Sequence, residues 1–120
     1  MGDGGAIVQI RDGAGQLVAV SDDAWRCLVV HTAPLDRSCE RESNPVAGGG
    51  SCTFEAVDPP EGWHLAGFDA SGWAQASVYS EREVVPRGGY EQIQWSDAAQ
   101  LIWGPDLAQS NTVLCRLVVD

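Results

Sequence analysis

The residues best suited to chemistry lie in Tyr90-Glu91-Gln92-Ile93-Gln94-Trp95-Ser96-Asp97, where aromatic rings alternate with amides and carboxylates. An indole such as Trp95 beside polar side chains is what a sugar platform requires. The apolar face of a pyranose stacks on the ring, and its hydroxyls bond to carboxylates and amides. Tyr90, Trp95 and Asp97 are therefore the candidate ligand-binding residues, with His64 added from a second aromatic stretch. The plainer reading of Trp95 is a half-buried indole that binds nothing.

Catalytic patterns are weaker. Two carboxylates across a cleft could hydrolyse a glycoside, but seventeen acidic residues guarantee chance pairs, so Glu55, Glu61, Glu81 and Glu83 are not promoted by type alone. No nucleophile motif stands out, and Gly48-Gly49-Gly50 lacks the lysine and helix start of a phosphate loop. His31 and His64 are isolated histidines without a third ligand in view. Asp22, Asp23, Asp36, Asp58 and Asp69 offer hard oxygen ligands for a structural calcium ion, though not at EF-hand spacing. No other cofactor and no catalytic residue is expected.

The four cysteines form an even set without a CxxC pair, which favours disulfides over a metal centre. Cys39 and Cys52 flank the floppiest part of a loop spanning about residues 32–52. Bridging them closes roughly fifteen residues and constrains the unfolded chain by about 3 kcal/mol. Cys27 and Cys115 both fall inside expected strands and are paired by preference, other connectivities remaining open. Disulfides imply an oxidising compartment, hence secretion or periplasmic export. No charged segment followed by an apolar run precedes Ala6, so the sequence is read as a mature part or an excised domain.

These residues need a scaffold, and 120 residues fit one domain spanning 1–120. A net charge of −10, with all seven basic residues arginine, argues against nucleic acid as a partner. No apolar run is long enough to insert in a membrane. Strands are expected at Ala6–Arg11 and Gln16–Val20, joined as a hairpin, and at Trp25–Val30, Ser77–Ser80, Gln100–Trp103 and Thr112–Val119. The aromatic stretch Gly62–Ala76 is read as a lid over an open end of the fold, its turn specified by Asp69 and Ser71. Nowhere does a 3.6-residue apolar period persist for three turns. The fold class is all-β, an antiparallel β-sandwich.

Ser21–Cys27, Gly62-Trp63, Phe68–Ala76 and Ala99–Trp103 together resemble the galactose-binding-like β-sandwich (jelly-roll) domains that accompany secreted rhamnosidases, β-galactosidases and related glycosidases. The resemblance covers about residues 6–119. Ala70 stands where that family usually has a second Asp, and Gln100 where it has a larger or basic residue. The resemblance implies that Trp25, Trp73 and Trp103 pack the core and that one or two N-terminal strands are missing, leaving an exposed sheet edge. It implies a non-catalytic extracellular module that binds carbohydrate or serves a glycoside-active protein. The alternative is a structural or assembly protein that self-associates, or joins another protein, through that edge.

Overall fold

A computed structural model describes residues 4–119 of the chain. Its strands are β1 (Gln9–Arg11), β2 (Leu17–Val20), β3 (Arg26–Thr32), β4 (Glu55–Ala56), β5 (Ala74–Gln75), β6 (Ser77–Tyr79), β7 (Leu101–Trp103) and β8 (Ser110–Arg116). Among the described residues helix is confined to one α turn, α1 (Glu81–Val84), and two 3₁₀ turns at Arg37–Arg41 and Tyr90–Gln92. Every ladder among the described residues is antiparallel. The chain is all-β, as its short β-branched runs and turn signals require.

β3 is the centre. β8 pairs along its whole length, from Arg26↔Arg116 to Thr32↔Ser110, while its other edge carries β5 at one end and β4 at the other. β6 and β7 form a second ladder, in which Val78 faces Ile102, and β1 and β2 form a hairpin closed by the Asp12–Gln16 turn. The Asp12 carboxylate fixes that turn by accepting from the backbone N–H groups of Ala14 and Gln16, both at 2.9 Å.

The core lies between the β3 and β7 ladders. Cys27, Ala76 and Ile102 are buried together, and Trp25, Val113 and Cys115 pack against them. Ala76 sits where the chain passes directly from β5, paired with β3, into β6, paired with β7; its N–H reaches the Trp25 carbonyl at 2.9 Å. Ser21 is fully buried, and its Oγ donates to the Gln100 carbonyl at 2.7 Å while accepting from the Val8 N–H at 2.9 Å. One hydroxyl thus joins the end of β2, the approach to β1 and the approach to β7.

Both disulfides form as expected, Cys27–Cys115 across directly paired residues of β3 and β8, and Cys39–Cys52 around the 32–52 loop. That loop is not shapeless. Asp36 caps a 3₁₀ turn by accepting from the Ser38 N–H, and the Glu42 carboxylate accepts from the Ser51 N–H.

The aromatic stretch packs as a layer of rings. Trp73 is buried, with Trp63 stacked on it at 6.5 Å between centroids and Phe68 edge-on at 5.5 Å. Arg116, the last residue of β8, clamps the layer: its guanidinium lies 5.4 Å from the Phe68 ring centre and donates to the carbonyls of Leu65 and Phe68. Of the tryptophans expected in the core, Trp73 is buried, whereas Trp25 and Trp103 are half-buried. The latter two carry polar nitrogens that need partners, and each indole N–H finds a carbonyl, Val20 for Trp25 and Ser110 for Trp103.

Several elements differ from the sequence reading. The strand expected over Ala6–Arg11 is divided: Ala6 bridges to Ile102 of β7, and only Gln9–Arg11 pairs with β2. The last strand begins two residues earlier than expected and ends at Arg116 rather than Val119, because its partner β3 begins at Arg26, directly opposite Arg116. β4 and β5 were not expected, since two-residue ladders are set by the open edge of β3 and not by local propensity.

Candidate functional site

The chain from Ser80 to Asp97 builds the site. Ser80 opens α1 with a capping box: its side chain accepts from the Glu83 N–H, and the Glu83 carboxylate accepts from the Ser80 N–H at 3.0 Å. Val85 then takes a left-handed conformation (φ 52°), a strained choice for a β-branched residue, and ends the helix after one turn. Gly89 (φ 92°) turns the chain into the 3₁₀ turn at Tyr90–Gln92. This brings Tyr90 and Trp95 face to face.

Their ring centroids lie 6.0 Å apart at 28°, and the Trp95 indole N–H donates to the Tyr90 carbonyl at 3.1 Å. The Tyr90 hydroxyl donates to Glu81 Oε1 at 2.8 Å. That bond, with burial and the Glu81 charge adding to it, raises the Tyr90 phenol above its ordinary value. β1 supports the far end: Gln9 Oε1 accepts from the Ser96 N–H at 2.6 Å. Both rings are half-buried and held in place before any ligand arrives.

Tyr90, Ile93 and Trp95 form a wall between two concavities. On one side is an open groove of about 1020 Å³, floored by Gly4–Ile7 and flanked by Val84–Gly89. Among the described residues Arg87 is the one cation lining it. On the other side is a smaller hollow of about 500 Å³ lined by Glu81, Glu91, Ser96 and Asp97. The wall presents apolar ring surface, and the hollow presents carboxylate acceptors. Such a pairing suits a neutral polyhydroxylated ligand.

Tyr90, Trp95 and Asp97, the ligand-binding candidates of the sequence reading, lie together around the smaller hollow. His64 is not among them. It is exposed, meets Trp63 edge-on at 5.9 Å, and lines a separate hollow of about 390 Å³ with Trp25, Cys115 and Arg116. Its turn belongs to the aromatic layer, which packs on the ends of β3 and β8. Glu81, Gln9 and Ile93 were not singled out as ligand-binding residues. The Ser80-x-x-Glu83 capping box could have flagged the turn that positions Glu81, but Gln9 lies 87 residues from its partner and leaves no local signal.

Among the described residues, no three His, Cys, Asp or Glu side chains gather to hold a metal. Several aspartates offered for calcium are instead turned inward on their own loops. Asp22, Asp36 and Asp69 accept from the N–H groups of Ala24, Ser38 and Ser71 at 2.9–3.0 Å. Hydrogen bonds from Ser38 and Ser71 hold the Asp36 and Asp69 carboxyls below the ordinary range.

Compared with protein-family models, with curated proteins and with solved structures, the chain gives no significant match. Its likeness to galactose-binding-like domains rests on the sequence motifs alone. Among the described residues no helix is long and apolar enough to cross a membrane.

Proposed function

We propose that the protein is a non-catalytic module, secreted or periplasmic, that binds neutral carbohydrate at the Tyr90–Trp95 wall of a galactose-binding-like β-sandwich. The observation that carries this reading is the pre-positioned ring pair standing between an open groove and a carboxylate-lined hollow. Ring faces supply the apolar contact that a pyranose needs, and Glu91 and Asp97 supply acceptors for its hydroxyls. The acidic surround and the net charge of −10 disfavour uronates and sulfated glycans.

The sandwich reading draws support from Ala76, where one run of chain passes from the β3 ladder to the β7 ladder with the buried cluster between them. The extracellular reading draws support from the two disulfides.

Affinity electrophoresis in gels cast with neutral galactans, galactomannans or glucans tests the proposal. Retardation that free sugar reverses, and that Trp95→Ala abolishes, is the expected result. Unretarded migration in every neutral polysaccharide, or retardation that Trp95→Ala leaves intact, overturns it.

A further inference from the structure

Among the described residues the longest strand edge left open belongs to β8. β3 is covered on both sides, and the other free edges run two to four residues, whereas β8 spans seven and pairs only with β3; its first residue is occupied, the Ser110 N–H donating to the Asp106 carbonyl and the Ser110 carbonyl accepting from the Trp103 indole, which leaves the stretch 112–116 open. The orientation of its main chain follows from the Cys27–Cys115 pair. Their Cα atoms are 4.1 Å apart, the close spacing of a non-hydrogen-bonded antiparallel pair. The Trp25 carbonyl, two residues before Cys27, accordingly bonds to Ala76, away from β8. Cys115 and, by the strand's two-residue period, Val113 therefore turn their N–H and C=O groups away from β3. Among the described residues no other group hydrogen-bonds to them.

The geometry points to a second copy of this chain as the occupant of that edge, with β8 pairing antiparallel to β8 about a two-fold axis through Leu114. Leu114 is the midpoint of the open stretch 112–116, so that axis sets Leu114 opposite its own counterpart and Val113 opposite Cys115. Val113 and Cys115 are the positions whose main-chain groups face outward, so the strand is self-complementary over this stretch, clear of the register shift at Asn111. The irregularity of this strand lies at its Ser110 end, and from Thr112 onward the edge has neither proline nor lysine to block pairing. It also holds no acidic residue in a chain of net charge −10, so the pairing sets no carboxylate against another within the strands.

Surface area agrees. The chain exposes 7886 Å², roughly a quarter more than the about 6,300 Å² expected for its mass. Its radius of gyration is 16.3 Å against about 13.6 Å for a compact domain of this length. A standard interface removes about 800 Å² per partner, which this chain can give up and still expose more than a typical monomer.

Sedimentation of the full chain over about a thousandfold concentration range tests the assignment. A monomer–dimer equilibrium is expected. Val113→Pro deletes an outward N–H at an edge position that tolerates proline, so it is expected to weaken the dimer at least about tenfold with an unchanged near-ultraviolet circular dichroism spectrum. Hydrogen exchange on the unmodified chain gives a second reading independent of that variant's folding: the Val113 and Cys115 amides should slow as concentration rises. A chain that stays monomeric throughout, a dimer indifferent to Val113→Pro, or amides indifferent to concentration overturns it.

Discussion

The Trp95 indole N–H meets the Tyr90 carbonyl at 3.1 Å while the two rings stack at 6.0 Å, so one residue's main chain fixes the other's side chain. Removing the indole takes away both the proposed sugar-facing surface and the bond that orders the turn. Trp95→Ala is expected to weaken polysaccharide affinity at least about tenfold, and Trp95→Phe, which keeps a ring but not the donor, to lose less. Titrations followed by tryptophan fluorescence or calorimetry check this ranking. Equal losses from both substitutions would contradict it.

Ser21 bonds to two separate backbone groups with no exposed surface of its own. Ser21→Ala leaves the Val8 N–H and the Gln100 carbonyl short of a partner in a buried place. A destabilisation of about 2–3 kcal/mol follows. Urea unfolding measures it, and a loss under about 0.5 kcal/mol would show that water replaces the hydroxyl.

The two disulfides close loops of very different size, with sequence separations of 88 and 13 residues. Chain entropy alone assigns about 4–5 kcal/mol to Cys27–Cys115 and about 3 kcal/mol to Cys39–Cys52. Replacing Cys27 and Cys115 together by alanine is thus expected to cost more than replacing Cys39 and Cys52, the more so because Cys27 and Cys115 also pack in the core. Denaturant midpoints of the two double variants decide, and the reverse order would refute the entropic account.

Both tyrosines of the chain are shifted upward from 10.0, Tyr79 chiefly by burial and Tyr90 chiefly by its bond to Glu81. The fold favours the neutral phenols, so their contribution to stability is complete below pH 10 and is lost as pH rises through the raised folded values. Ultraviolet titration should show both phenols ionising later than free tyrosine. Glu81→Gln should bring one of them earlier and leave the other. A titration in which both ionise at the free value would contradict the hydrogen-bonded geometry.

Much of this architecture was legible in the sequence where local pattern and tertiary demand coincide. Val113, Cys115 and their neighbours alternate as a strand, and Cys27 and Cys115 sit inside two such runs, so β3 and β8 could be read from pattern and their disulfide preferred over the other connectivities that pattern left open. Tyr90, Trp95 and Asp97 lie within eight residues of one another, and a single turn suffices to gather them. What escaped depends on distant partners. Ala6 leaves its expected strand to bridge with Ile102, Gln9 supports Ser96, and β4 and β5 exist only because β3 has an edge to offer. His64 was grouped with the site by residue type, but its place was decided by the packing of Trp63 and Trp73. No short-range pattern encodes these relations.

Ala76 lies between two ladders on one unbroken piece of backbone. A fluctuation that frees Ala74–Gln75 from β3 therefore tugs on Ser77–Tyr79. Hydrogen exchange is expected to show the amides of these two short strands opening together.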